Sequence, residues 1–229
     1  MRRFLTLCLL VPASLVVLRG AGANAYIQHN LIADQPGMAD LTDPNLINPW
    51  GIATSATSPF WLSDTGTGLA TVYSTAGASP TISISSLKVS IPAGKSSTLT
   101  AGSPSGQVFN GTTAFLLANG TKASFLFCTL DGTISGWNGG STAVIMVDNS
   151  SKGAIYTGFV MGPPGTSAGP PQLYVANFHS GAVEVYDGNF APVSLAAGAF
   201  TDSQLPAGYK PFNIANLNGS LYVAYALQN

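Results

Sequence analysis

The sequence predicts an all-β protein assembled from repeated hairpins, and three observations carry that prediction. Charged residues make up only 7% of the chain and hydrophobic residues 46%. With Gly, Ser, Thr and Asn abundant, that composition suits many short strands joined by turns. No 3.6-residue apolar periodicity holds over a useful length, so helices are not expected. What recurs is an apolar run of strand length, a polar turn bearing glycine, and a second, alternating run.

Two copies are plain, FWLSDTGTGLATVY at 60–73 and LYVANFHSGAVEVY at 173–186. In each, an apolar strand ends on a small residue followed by Asp64 or Asn177. Gly68 or Gly181 stands four positions on, and the second strand closes at Tyr73 or Tyr186. FLFCTLDGTISGW at 125–137 is a third copy, one residue shorter in the turn, with Asp131-Gly132 there and Trp137 in the tyrosine's place. A fourth begins with LYVAYALQN at 221–229.

Alignment of the copies puts Ser63, Cys128, Ala176 and Ala224 in one column. All are small, which predicts a place where neighbouring sheets come too close for a large side chain. Cys128 is therefore read as a packed small hydrophobe and not as a reactive thiol. The next column holds Asp64, Thr129, Asn177 and Tyr225. Its first three members are read as turn residues that bond nearby backbone amides, with the glycines supplying positive φ.

A further strand precedes each hairpin. Pro49-Trp50-Gly51-Ile52-Ala53 matches Pro211-Phe212-Asn213-Ile214-Ala215 and, more weakly, Pro104-Ser105-Gly106-Gln107-Val108, while AIYTGFVM at 154–161 fills the slot without proline. Proline suits the first residue of a strand. Glycine or asparagine two positions later predicts a bend or a close backbone approach. The second, third and fourth copies lie about one propeller blade apart, a blade taking roughly 40 to 50 residues. The first interval is longer, and residues 74–103, rich in Ser, Thr, Pro and Gly, are expected to fill it as an outer strand plus loop. The architecture predicted is a β-propeller of four-stranded antiparallel blades packed face to face.

Residues 1–25, MRRFLTLCLLVPASLVVLRGAGANA, have the layout of a secretory signal peptide: two arginines, an apolar run, then a small-residue site before Tyr26. The apolar run of about 15 residues is short for a membrane span, which needs roughly 20. The expected organisation is thus a leader at 1–25 and a propeller domain at 26–229, secreted to the periplasm or the exterior with no membrane attachment after cleavage. All three arginines lie in the leader, leaving five lysines against nine acids, a net charge of −4. Without a guanidinium, nucleic acid and anionic membranes are excluded as partners. Cys8 lies in the leader as well, so Cys128 stands alone and no intrachain disulfide is expected.

From NLIADQPGMADLTDPNLINPWGI through GQVFNGT, DGTISGWN, GAIYTGFVMG and LYVANFHSGAVEVYD to KPFNIANLNGSLYVAYA, residues 26–229 resemble an uncharacterised family of secreted bacterial proteins, some with PEP-CTERM sorting tails. The chain is more distantly similar to the NHL-repeat propellers, whose blades have a similar Pro-x-Gly strand and Asp or Asn turn. The resemblance implies a secreted β-propeller. Members of this kind are usually longer, with further blades and a closing strand. A sequence ending at Asn229 partway through a hairpin is therefore expected to be truncated, with about four blades in an incomplete ring.

Few motifs point to chemistry. Gly165-Thr166-Ser167-Ala168-Gly169 matches G-x-S-x-G, but a nucleophile elbow needs a helix after the serine, and Pro170-Pro171 and a strand follow instead. It is read as a loop. His179 occupies a turn and reads as solvated, the alternative being a ligand or proton carrier at one mouth of the propeller. Asp34, Asp40 and Asp43 form the densest acidic group; calcium is the one weak cofactor possibility there, since the spacing fits no EF-hand loop and TDPN reads as a turn. The sequons at Asn110, Asn119, Asn149 and Asn218 read as turns, and as glycan sites only in a eukaryotic secretory pathway.

Two functions compete. The first is a non-catalytic propeller that binds or scaffolds an extracellular protein or polysaccharide. Trp50, Phe212, Asn213 and His179 are its candidate binding residues, with Trp50 assigned first to packing between blades. The second is a metal-dependent, lactonase-like hydrolase, which needs several of Asp64, Asp131, Asn177 and Asn213 to converge at one mouth. No catalytic residue is assigned. Asp64, Gly68, Asp131, Gly132, Asn177 and Gly181 are read as structural turns.

Overall fold

A computed structural model describes residues 28–76, 81–162 and 170–228. The leader at 1–25 and the serine motif at 165–169 lie outside the described residues. The chain is all-β: among the described residues the sole helical element is a 3-10 turn at Ser150–Lys152. A short parallel pair, β1 (Ile32–Ala33) and β2 (Leu41–Thr42), comes first.

Four antiparallel sheets follow in chain order. The first joins β3 (Pro49–Ala53), β4 (Phe60–Asp64), β5 (Leu69–Ala76) and β6 (Thr81–Ser90). The second joins β7 (Pro104–Phe109), β8 (Phe125–Thr129), β9 (Thr133–Trp137) and β10 (Val144–Asp148). The third has β11 (Tyr156–Met161), β12 (Leu173–Asn177) and β13 (Ala182–Tyr186), and the fourth β14 (Tyr209–Leu217) and β15 (Ser220–Leu227). Four strands per unit therefore hold for two sheets. In the third, the place of the outer strand is taken by an irregular stretch in which Val193 N bonds Val185 O and Pro192 bridges Tyr186. Proline at that point removes a ladder donor, which accounts for the missing strand.

The first strand of each sheet carries an irregularity at one and the same place. The register slips between Pro49 and Gly51, Pro104 and Gly106, Tyr156 and Gly158, and Pro211 and Asn213. Each slip is a bulge that leaves Trp50, Ser105, Thr157 or Phe212 as the extra residue. The glycine after it lets the backbones meet. A Cβ on Gly51 would stand 3.0 Å from Gly106 Cα, one on Gly106 would stand 3.1 Å from Phe159 Cδ1, and one on Gly158 would overlap Asn213. β3, β7, β11 and β14 thus lie side by side in chain order, as the close backbone approach predicted from the sequence requires.

Alternation along the middle strands then builds three cores, one between each pair of successive sheets. Trp61 of β4 stacks on Phe125 of β8 at 4.3 Å, with Val72, Val89 and Phe127 around them. Leu126 and Cys128, on the other face of β8, pack with Tyr156, Phe159, Leu173 and Val175 of the third sheet. Ala176 and Tyr174 meet Ile214, Leu221 and Val223 of the fourth. Being covered on both faces, β8 reads as the unbroken run FLFCT, and all five of its residues are buried. The small column sits where the glycines call for it, with Ser63 opposite Gly51, Cys128 opposite Gly106 and Ala176 opposite Gly158.

The inserted segment ends in the predicted outer strand and loop. β6 is the strand, and residues 91–103 fold against the second sheet, where Gly94 N and Ser103 N donate to the Asp131 carboxylate at 2.6 and 3.0 Å. Lys95 N donates to Asp148 at 2.9 Å.

Candidate functional site

The bulges project Trp50 and Phe212 from the first and last of the four stacked strands, and the structure brings the two rings together. Their centroids lie 5.9 Å apart, and Phe178 stands edge-on to Phe212 at 5.5 Å. Trp50 is 40% exposed, and its indole N–H donates to Asn48 Oδ1 at 3.1 Å. Asn48 takes φ 52°, in the left-handed region that asparagine tolerates. Three ring faces beside a side-chain amide form an open aromatic cluster with no titratable side chain in its ring-to-ring and amide contacts. Trp61, not singled out from the sequence, packs between the first two sheets, against Phe125 and Trp137.

His179 and Asn213 are committed elsewhere. Asn213 Oδ1 accepts from Ile214 N at 2.8 Å, in the space left by the missing side chain of Gly158. His179 is exposed in the β12–β13 turn, its carbonyl accepting from Lys210 Nζ at 2.6 Å. Its neighbour Phe178 supplies the third ring.

The turn residues close hairpins as their types suggest, with one correction. Gly68, Gly132 and Gly181 take φ of 69°, 81° and 78°. Asn177 Oδ1 accepts from Ser180 N and Ile155 N, and Thr129 Oγ1 accepts from Thr133 N. Asp64 differs. Its turn is closed by its backbone carbonyl, which accepts from Thr67 N and Gly68 N. The Asp64 carboxylate turns to the sheet face, where Thr71 Oγ1 donates to Oδ2 at 2.7 Å and Oδ1 is buried without a partner. Burial, with the charge of Asp43 beside it, pushes the Asp64 carboxyl up to about 7 against the pull of the Thr71 bond.

Asp43 belongs to the same network. Its Oδ1 accepts from Asn45 N and Nδ2 at 2.9 and 2.6 Å, making the predicted turn, and its Oδ2 accepts from the Tyr73 hydroxyl at 3.0 Å. Burial works against the charge of Asp43, yet the Asn45 and Tyr73 bonds together hold its carboxyl below the ordinary value. Asp40 pairs with His29 at 2.8 Å. Among the described residues, no three His, Cys, Asp or Glu side chains are grouped to hold a metal ion.

A matching network lies in the third sheet. Asn177 Nδ2 donates to Glu184 Oε1 at 2.7 Å, and the Tyr156 and Tyr186 hydroxyls both donate to Glu184 Oε2 at 2.7 Å. Asn149 Nδ2 donates to both phenol oxygens, at 2.7 and 2.8 Å. Burial above all raises both tyrosines well above their usual value; the Tyr186 phenol and then Glu184 add to it at Tyr156, while at Tyr186 the Tyr156 bond opposes it and Glu184 adds to it. Asn149 is thus occupied, and Asn110 is fully buried with Nδ2 bonded to the carbonyls of Ala114 and Ala123, so neither sequon asparagine is free for a glycan. Cys128 is buried, and burial pushes its thiol up to about 12.

Sequence reasoning missed a cleft of about 690 Å³ over the outer face of the first sheet. Ile52, Phe60, Leu62, Tyr73 and Ile82 form its floor, and residues 29–35 with Met38 form its wall. The available signal was the apolar set Ile52, Phe60 and Leu62, which strand alternation places on one face of the first sheet, opposite Trp61. The wall carries no repeat pattern, so its placement was not readable.

No family model matches the chain. It is 31% identical over 205 residues, 86% of its length, to a protein of Acanthamoeba polyphaga mimivirus described only as uncharacterised, of which it covers 48%. A second such mimivirus protein is 29% identical over 123 residues, 50% of this chain and 22% of the relative. The chain spans about half the length, or less, of the curated relatives it matches.

Proposed function

We propose that the chain is part of a secreted β-propeller that works as a non-catalytic binding module, using the Trp50–Phe212–Phe178 cluster as its contact surface. The four sheets are read as blades, and β3, β7, β11 and β14 as their innermost strands around an axis. Trp50 and Phe212 then face one another across one mouth, where loops of several blades meet. The leader at 1–25, the lack of arginine after it and the resemblance to secreted bacterial propellers support export. The exposed aromatic cluster carries the functional reading: ring faces bordered by a side-chain amide suit a neutral saccharide, stacking its C–H face and bonding its hydroxyls.

The hydrolase reading has less to support it. Asp64, Asp131, Asn177 and Asn213 each bond a different partner, Thr71, the amides of Gly94 and Ser103, Glu184 and the amide of Ile214 respectively, and share none, so they form no common ligand set. Tryptophan fluorescence titration of the chain with neutral polysaccharides tests the binding reading. A saturable change lost in Trp50→Ala and weakened about tenfold in Phe212→Ala is expected. Equal binding by wild type and Trp50→Ala overturns it.

A further inference from the structure

Four Asn-Gly pairs stand in the chain, beginning at Asn110, Asn119, Asn138 and Asn218. Such a pair is chemically labile, because glycine has no side chain to shield its amide nitrogen from the carboxamide before it. The fold holds three of these carboxamides. Asn110 is fully buried, its Oδ1 accepting from Thr112 N and Oγ1 and its Nδ2 donating to the carbonyls of Ala114 and Ala123. Asn119 and Asn138 hold each other: Asn119 Oδ1 accepts from Asn138 Nδ2 at 3.3 Å and from Thr121 N at 3.0 Å, and Asn138 Nδ2 also donates to Thr121 O at 3.2 Å.

Asn218 differs. It is exposed, and among the described residues its side chain makes no hydrogen bond. Asn218 and Gly219 form the two-residue loop of the β14–β15 hairpin, closed by the Leu217–Ser220 pair, with φ of 52° and 87°. Positive φ at both positions is the type I′ geometry that Asn-Gly favours. Gly219 N donates to Asn216 Oδ1 at 3.1 Å in an exposed bond, and nothing lies within 4 Å of where a Cβ on Gly219 would stand. The carboxamide is thus free to turn, and one solvent-facing bond restrains the amide nitrogen beside it.

We propose that Asn218 is the site at which this protein converts spontaneously to isoaspartate, and that the conversion unlocks the β14–β15 hairpin. The Gly219 nitrogen attacks Asn218 Cγ and gives its proton to solvent, while Nδ2 leaves as ammonia and a cyclic succinimide forms. Water then opens the ring at either carbonyl. Opening at the side-chain carbonyl gives aspartate; opening at the main-chain carbonyl gives isoaspartate, with the chain routed through Cβ and Cγ. That route adds a carbon to the main chain inside the loop that sets the strand register. The register carries Ile214, Leu221 and Val223 against the third sheet, so the change reaches that core. None of this depends on the Trp50 surface, so saccharide binding and isoaspartate formation stand or fall separately.

The test is incubation of the chain in warm, mildly alkaline buffer, folded and in denaturant, followed by peptide mapping in a mass spectrometer and by isoaspartyl methyltransferase labelling. In denaturant the four pairs convert at similar rates. In the folded protein Asn218 keeps that rate, while Asn110, Asn119 and Asn138 are slowed about tenfold or more, since they react only on local opening. The isoaspartyl form, separated by its added charge, then exchanges the amides of 214–223 faster than the Asn218→Asp variant, which has the charge without the extra carbon. Folded conversion at Asn218 no faster than at Asn119, a product free of isoaspartate, or equal exchange in the isoaspartyl form and Asn218→Asp overturns the proposal.

Discussion

The first and third sheets each bury a polar network at the same three positions of the repeat, and they balance it differently. Asp64, Thr71 and Tyr73 occupy the places of Asn177, Glu184 and Tyr186, and a loop residue, Asp43 or Asn149, joins each set. The third sheet surrounds one carboxylate with two phenols and two amides, and both Glu184 oxygens accept bonds. The first sheet has two carboxylates for fewer donors, and Asp64 Oδ1 goes without. A repeat position therefore specifies where polar atoms are buried and not their charge. The surplus of acceptors is relieved by keeping a proton near neutral pH.

Three changes test that contrast. Glu184→Ala should have the largest effect, because it strands the Asn177 amide and two phenols; a loss of roughly 3 kcal/mol is expected in urea unfolding. Asp64→Asn, which copies the third sheet's residue into the first, should act oppositely and stabilise by roughly 1 to 2 kcal/mol at about pH 8. The sign follows from linkage. With the folded carboxyl raised to about 7 and the unfolded one near its ordinary value of roughly 4, the folded state holds the extra proton between those values. Asp64's contribution is most favourable below about pH 4 and is lost as pH rises through about 7, and the variant should lack that slope in melting temperature. Thr71→Val removes the one hydroxyl that favours ionised Asp64. It should cost about 1 kcal/mol and move the same slope to higher pH.

Much of the frame was readable because it depends on local rules. Positive-φ glycines at 68, 132 and 181, the Pro-x-Gly bulges and the small column are each forced by backbone geometry, which leaves few residue types possible. The Trp50–Phe212 match was visible as well, though not that the rings would touch, since that depends on how four strands stack. The networks were hidden for a related reason. Asp43 and Asn149 come from loops outside the hairpins, and Asp64 was assigned to a turn its side chain does not close. The irregular edge of the third sheet and the wall of the cleft follow no period at all.

Cys128 lies in the middle strand of the second sheet, with its sulfur against the space of Gly106 and in the core shared with the third sheet. No reagent reaches it while the two sheets remain in contact, and burial keeps the thiol protonated. Its rate of alkylation therefore counts how often that seam parts, giving a clock for local opening that needs no added label.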